Sequence, residues 1–447
     1  MDTGDTAWVL ASAALVLLMT PGLAFFYGGM VRTKSVLNMM MMSLGAIGVV
    51  GVLWVLVGYS TAFGKDVGGG LLGNPFQFFG LDGLLAKDSL FGTIPTTVFV
   101  SFQAMFAIIT VALISGAIAD RARFGPWLLF AGLWALVVYF PVAHWVFDFD
   151  VKDAAGNVVD AGGWIANKLL AIDFAGGTAV HINAGAAGLA LAIVLGKRVG
   201  WPKDRMKPHS LPLVVLGAGL LWFGWYGFNA GSALGANATA GVTFLNTTVA
   251  TAVAMLAWLA VERVRDGHAT TLGAASGIVA GLVAITPACS SVTPLGALGV
   301  GAITGALCAL AVSLKYRFGF DDSLDVVGVH LVGGLSGTIL IGFFASDAAP
   351  AGVNGLFYGG GVDQLWRQVV GALAVLTYSF VLSLVIGYAV KFTVGFRVDK
   401  EAEVGGIDEA EHAETAYDHG GLTGSRGNAK PSVAAGAAAV LEGSSKS

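Results

Sequence analysis

Asp173-Phe-Ala-Gly-Gly-Thr-Ala-Val-His181-Ile-Asn-Ala-Gly185-Ala-Ala-Gly188 sets one ionisable ring inside an apolar run covering 172–196. A helix needs about 20 predominantly apolar residues to cross a bilayer, and this run is long enough. An ionisable side chain at that depth is costly and defaults to a functional role. The pattern occurs twice: Asp325-Val-Val-Gly-Val-His330 is followed by Gly334 and Gly337. Both stretches read H-x-x-x-G-x-x-G. Positions i+4 and i+7 share the helix face of i, so each histidine sits on a small-residue face that admits a second helix closely. An acid opens each run, Asp173 and Asp325, at unequal distances from its histidine. For both acids, service as a helix N-cap is the plain alternative to a functional role.

Outward from these two runs, the chain reads as eleven membrane spans, at 7–30, 36–63, 96–119, 124–147, 172–196, 210–234, 240–262, 271–289, 294–314, 326–346 and 368–395. The two histidine spans are the fifth and tenth. A separation of five reverses direction in the membrane. The chain is therefore expected to be two five-helix inverted repeats plus a final helix, an arrangement that places functional groups near the bilayer midplane. Basic residues recur in alternate short loops: Arg32 and Lys34, Arg121 and Arg123, Lys197 to Lys207, Arg263 and Arg265, Lys315 and Arg317. The intervening loops are acidic or uncharged, with Asp148, Asp150, Asp153 and Asp160 after the fourth span. Positive loops stay in the cytoplasm, which puts the N-terminus outside and the C-terminus inside. Met1-Asp-Thr-Gly-Asp has no basic stretch, so the first run reads as a retained span.

Composition agrees. The 447 residues are 56% hydrophobic and only 12% charged, against about 25% in soluble domains. A net charge of −4 offers no basic surface for nucleic acid. Continuous rather than alternating apolar runs exclude a transmembrane β-barrel. Cys289 and Cys308 are too few for a disulfide framework. Residues 1–398 read as one all-α transmembrane domain. Residues 399–447 read as a cytoplasmic tail whose Gly/Ala/Ser-rich distal part is expected to be disordered.

The histidine segment resembles the signature of the ammonium transporter (Amt) family, relatives of the Rhesus glycoproteins. The likeness extends through Pro21-Gly-Leu-Ala-Phe-Phe-Tyr-Gly-Gly29, Phe102-Gln-Ala-Met-Phe106, Trp225-Tyr-Gly-Phe228-Asn-Ala-Gly-Ser232 and Asp325-Val-Val-Gly-Val-His330. In the tail, Gly406-Ile-Asp408 and His412-Ala-Glu-Thr-Ala-Tyr417 are similar to the family's regulatory segment. The resemblance implies a multi-pass cell-membrane homotrimer with one pore per protomer, carrying ammonium or ammonia and also methylammonium, in contact with membrane lipid. It also implies a P-II signalling protein at the cytoplasmic face. It implies no enzyme and no cofactor or metal. By motif, Phe106 and Phe228 resemble the stacked gate and Ser232 the hydroxyl that receives ammonium. Trp225 resembles the aromatic lining, Asp173 the buried acid that orders the site, and His181 and His330 the pore pair. The family's outer tryptophan is replaced here by Phe147, and Trp164 beyond the acidic insertion is the other candidate for that place.

These residue types suit ammonium. Aromatic walls attract any small cation by up to about 2 kcal/mol when desolvated, whereas a hydroxyl lone pair rewards only an ion that carries N–H groups. Three rivals remain open on the residues: a bis-histidine haem protein, an ammonium sensor of the same fold, and a carbon dioxide channel.

Overall fold

The computed structural model describes residues 1–204 and 206–417, and the expectation for the distal tail lies outside the described residues. Among the described residues, ten helices are long and apolar enough to span a membrane. They are α1 Thr3–Met30, α2 Thr33–Phe63, α3 Thr96–Ile118, α4 Phe124–Phe147, α5 Gly177–Leu195, α6 Leu211–Gly231, α7 Ala238–Asp266, α9 Pro294–Phe318, α10 Val327–Phe344 and α11 Asp363–Thr393. Between α7 and α9 lies the shorter apolar α8, Thr271–Ile285, which completes the eleven. Each lies within a few residues of its sequence-based span. Two short tail helices follow, α12 Lys400–Gly405 and α13 Ile407–His412.

Capping residues fix several of these ends. Asp2, Ser210, Asn237, Thr270 and Thr293 each accept a backbone N–H in the first turn of the helix they open. Such caps satisfy donors that a helix start otherwise leaves unpaired. α3 and α5 are the most buried spans, whereas α2, α7 and α11 lie at the periphery. α1 packs along α6 and α3. Glycine makes the α1–α6 approach close: a Cβ on Gly217 would strike the backbone of Phe26, and one on Gly22 would meet Leu220 at 3.0 Å.

The two ends of the bundle differ in charge, as the loop alternation requires. One end gathers a buried ionic network. Arg198 binds Asp321 at 2.8 Å and Asp120 at 3.1 Å, Arg32 joins Asp120 at 3.2 Å, and Arg121 donates to Ser323 and to the Asp321 carbonyl. The tail docks at this end. The opposite end carries two hairpins, β1 Leu90–Phe91 with β2 Ile94–Pro95, and β3 Val151–Lys152 with β4 Val158–Asp160. The second hairpin is the acidic insertion.

Candidate functional site

The two histidines meet inside the bundle. His181 lies in a π-helical turn, Gly177–Ile182, that opens α5; His330 lies in another, Val327–Leu331, that opens α10. Their Nδ1 atoms are 3.3 Å apart, with ring centroids 5.4 Å apart and planes inclined by 20°. Trp225 stacks on His181 at 5.4 Å, and its indole N–H donates to the Thr286 hydroxyl at 2.8 Å. The enclosed cavity they border holds about 10 Å³, and Leu23, Phe26, Ile109 and Leu221 are among its apolar walls. That is room for roughly one water-sized molecule. The Nε2 of His181 has no hydrogen-bond partner among the described residues.

The glycine of each motif seats the histidine turn of the other repeat. A Cβ on Gly185 would lie 2.7 Å from the Cα of Leu331, next to His330. One on Gly334 would lie 3.1 Å from the Cβ of His181 and 3.0 Å from the Gly177 carbonyl. The small-residue faces are thus reciprocal.

An acid caps each histidine turn. The Asp173 carboxylate accepts from the backbone N–H of Gly176, Gly177, Thr178 and Ala179 at 2.6–3.2 Å, and from the Thr178 hydroxyl. Capping therefore accounts for the hydrogen bonds that the Asp173 carboxylate makes among the described residues. At the second turn the structure corrects the sequence reading. The cap is Asp322, which accepts from Val326 at 3.1 Å and Val327 at 2.7 Å. Asp325 instead pairs with Lys315 at 2.7 Å. Asp322 stands eight residues before His330, as Asp173 does before His181. The repeat is accordingly D-x7-H-x3-G-x2-G in both halves, and the spacing alone carried that signal. Burial pushes Asp322 up to about 6, with Lys315 opposing and Asp325 adding to the rise.

Towards the outer end, Phe106 and Phe228 stack with centroids 4.2 Å apart and planes inclined by 22°. Phe228 faces the histidine cavity and Phe106 an outer cavity of about 80 Å³. Ser232 borders the outer cavity and donates its hydroxyl hydrogen to the Phe228 carbonyl at 2.8 Å. Phe147 also borders it, edge-on to Phe106 at 6.4 Å. Trp164 does not; it packs on Trp145 at 5.8 Å. Of the two aromatic candidates, Phe147 therefore lines the outer cavity and Trp164 lies outside its lining. Phe91, Phe149, Phe174 and Gln103 complete the lining together with Phe99, Phe102 and Leu234. The sequence reading assigns a role to none of these seven. Phe91 comes from β1, and Phe149 and Phe174 from loops, which only the tertiary fold brings together, and Gln103 stands inside a quoted motif without a role.

Beside this cavity, the buried His144 has Nδ1 3.0 Å from the Ala62 carbonyl and 3.3 Å from the Asp148 carboxylate, with Nε2 3.4 Å from Asp66. Burial, then the carboxylates of Asp160, Asp66 and Asp150, push Asp148 up to about 8.

At the cytoplasmic end the tail binds helix starts of its own chain. Asp408 accepts from the N–H of Leu37 and Asn38 at 3.0 and 2.8 Å, and Glu411 from Phe124 at 2.9 Å. Glu403 accepts from Val199 at 2.6 Å and pairs with Arg397 at 2.6 Å. Acids at helix N-termini meet both unpaired donors and the positive dipole end.

Stacked rings closing an apolar cavity that holds a histidine pair, within a multi-pass helical bundle, define a membrane transport protein. A family model described as Ammonium Transporter Family matches residues 7–417. An ammonium transporter of Mycobacterium bovis is 66% identical over 445 residues, covering 95% of this chain and 92% of that protein. Another, from Aquifex aeolicus, is 48% identical, covering 93% and 94%. Among solved structures, Saccharomyces cerevisiae Mep2 aligns at 35% identity with a TM-score of 0.80, over 89% of this chain and 88% of that one. A sensor Amt protein aligns at 31% identity with a TM-score of 0.82, over 92% and 98%. The chain belongs to the ammonium transporter family, a family of transporters and not of enzymes.

Proposed function

We propose that this membrane protein recruits ammonium in the outer cavity, strips one proton from it, and passes ammonia through the histidine cavity to the cytoplasm. The observation that carries the reading is the 3.3 Å approach of His181 and His330 in an otherwise apolar passage. A charge at the centre of a bilayer costs between about 2.5 and 17 kcal/mol. Giving up the proton at neutral pH costs roughly 3 kcal/mol, because the ammonium pKa lies about two units higher and each unit is ~1.4 kcal/mol. Deprotonation is the less costly route through so narrow a passage.

A neutral imidazole has one donor and one acceptor nitrogen. Two that share one N–H···N contact fix each other's tautomers and turn opposite characters towards the cavity, a lone pair on one Nε2 and an N–H on the other. Ammonia has both complements. The same pair can accept and return a proton, so the proton can follow the ammonia. Phe106 and Phe228 gate the passage, Trp225 walls it, and Asp173 fixes the turn that aims His181. Phe147 and Ser232 hold the cation before the gate, with methylammonium as a second substrate.

In this reading residues 1–398 form the transport unit, assembled as a homotrimer in the lipid bilayer with one passage per protomer. The tail from 399 is the regulatory element, and a P-II signalling protein docks on the cytoplasmic face. Reconstituted vesicles test the central part. Ammonium pulses should give uptake or current, whereas equal pulses of potassium and carbon dioxide should give none. Equal responses to ammonium and potassium would defeat the reading.

A further inference from the structure

We propose that Gln103 is the second hydrogen-bond acceptor of the outer cavity and, together with Ser232, selects an N–H-bearing cation over a spherical one. This rests on reading that cavity as the recruitment site. Gln103 is 9% exposed, yet its amide has no hydrogen-bond partner among the described residues. Buried side-chain amides in native proteins are paired, because leaving one dry and unpaired is costly. This one is not sealed in packing: it borders the outer cavity, one helical turn before Phe106 on the same face of α3. An amide held unpaired against a cavity is completed by what enters it.

The chemistry of the walls narrows that occupant. Ser232 already donates its only hydroxyl hydrogen to the Phe228 carbonyl, so towards the cavity it can only accept. Gln103 is the other polar side chain of the lining, and its Oε1 accepts as well. The remaining walls are phenyl rings and Leu234. Two oxygen acceptors amid aromatic faces match a small cation with N–H donors: two donors reach Ser232 and Gln103, and the rest point at ring faces. Methylammonium keeps both oxygen contacts and lays its methyl on a ring. Potassium gains the ring attraction but needs a shell of oxygens to replace its hydration, and two are too few.

Transport in reconstituted vesicles tests this, with half-saturation for ammonium and inhibition by potassium measured for Gln103→Met, Gln103→Glu and Ser232→Ala. Gln103→Met keeps the volume and removes the amide. It should raise half-saturation roughly tenfold, the loss expected for a hydrogen bond to a charged group. The change should fall on half-saturation rather than maximal rate, and potassium should inhibit more strongly. Gln103→Glu keeps an acceptor and should hold half-saturation at or below the wild-type value, which a purely structural role would not do. If Gln103→Met behaves as wild type while Ser232→Ala is impaired, the cavity is the recruitment site but Gln103 is no ligand. If both behave as wild type, the cavity reading falls and this proposal with it. Should Gln103→Met fail to assemble, Gln103→Glu decides: a raised half-saturation overturns the proposal, and an unchanged or lowered one upholds it.

Discussion

Asp148 shows how a single side chain ties the outer mouth to pH. It follows Phe147 directly, and its carboxylate lies 3.3 Å from the buried His144. Its pKa is raised from 3.8 to about 8 by burial and by neighbouring carboxylates. The folded protein therefore keeps a proton that the unfolded chain releases near pH 4. Stability that is fully present below that pH is lost as pH rises through about 8. Asp148→Asn should remove this decline, leaving thermal unfolding of the solubilised protein less pH-dependent between 5 and 9. A profile identical to wild type would mean that Asp148 is ionised in the fold. At this scale the sequence was readable where a residue type was costly in its setting, as with a histidine inside an apolar span. It was less readable where several candidates stood together. Asp321, Asp322 and Asp325 lie within five residues, and only the backbone shows that Asp322 caps the turn.

Helix existence and span number were legible because a bilayer-length apolar run has few other uses. The π-turns at Gly177–Ile182 and Val327–Leu331 were not, since a fully buried helix has no polar face whose drift would betray an extra residue per turn. Their consequence is structural: each turn rests against a glycine of the other repeat. Gly334→Val should push α10 away from the His181 turn. Overpacking of this kind costs about 1–3 kcal/mol and should lower both thermal stability and ammonium transport. Gly241→Val, at a position where a Cβ would meet nothing within 4 Å, should change neither. Equal behaviour of the two variants would contradict the reciprocal seating.

For the whole molecule, loop charge alone divided the bundle into two ends, and the structure places the tail at the basic one. By charge alone, the basic loops at Lys197–Lys207 and Arg263–Arg265 are the plausible partners for its acids. The first region is used through the Val199 N–H, whereas Arg265 is occupied by Asp266 at 2.7 Å and the tail turns instead to Arg123, Arg397 and helix starts. Backbone donors at a helix start are invisible in a charge pattern, which is why the loops were only partly right. Asp408→Ala leaves the Leu37 and Asn38 donors without their acceptor and should cost about 1–3 kcal/mol of docking. The tail should then be cut faster by protease added to the cytoplasmic face, with transport altered. An unchanged cleavage rate would show that Asp408 does not hold it down.

The central claim is that His181 and His330 together make the passage selective for ammonium. The most direct measurement is the current or uptake evoked by ammonium and by potassium in vesicles holding the His181→Ala, His330→Ala double variant. The account predicts that selective ammonium transport is lost, seen either as a silent protein or as a passage that also conducts potassium. Ammonium transport of wild-type size, still excluding potassium, would contradict it.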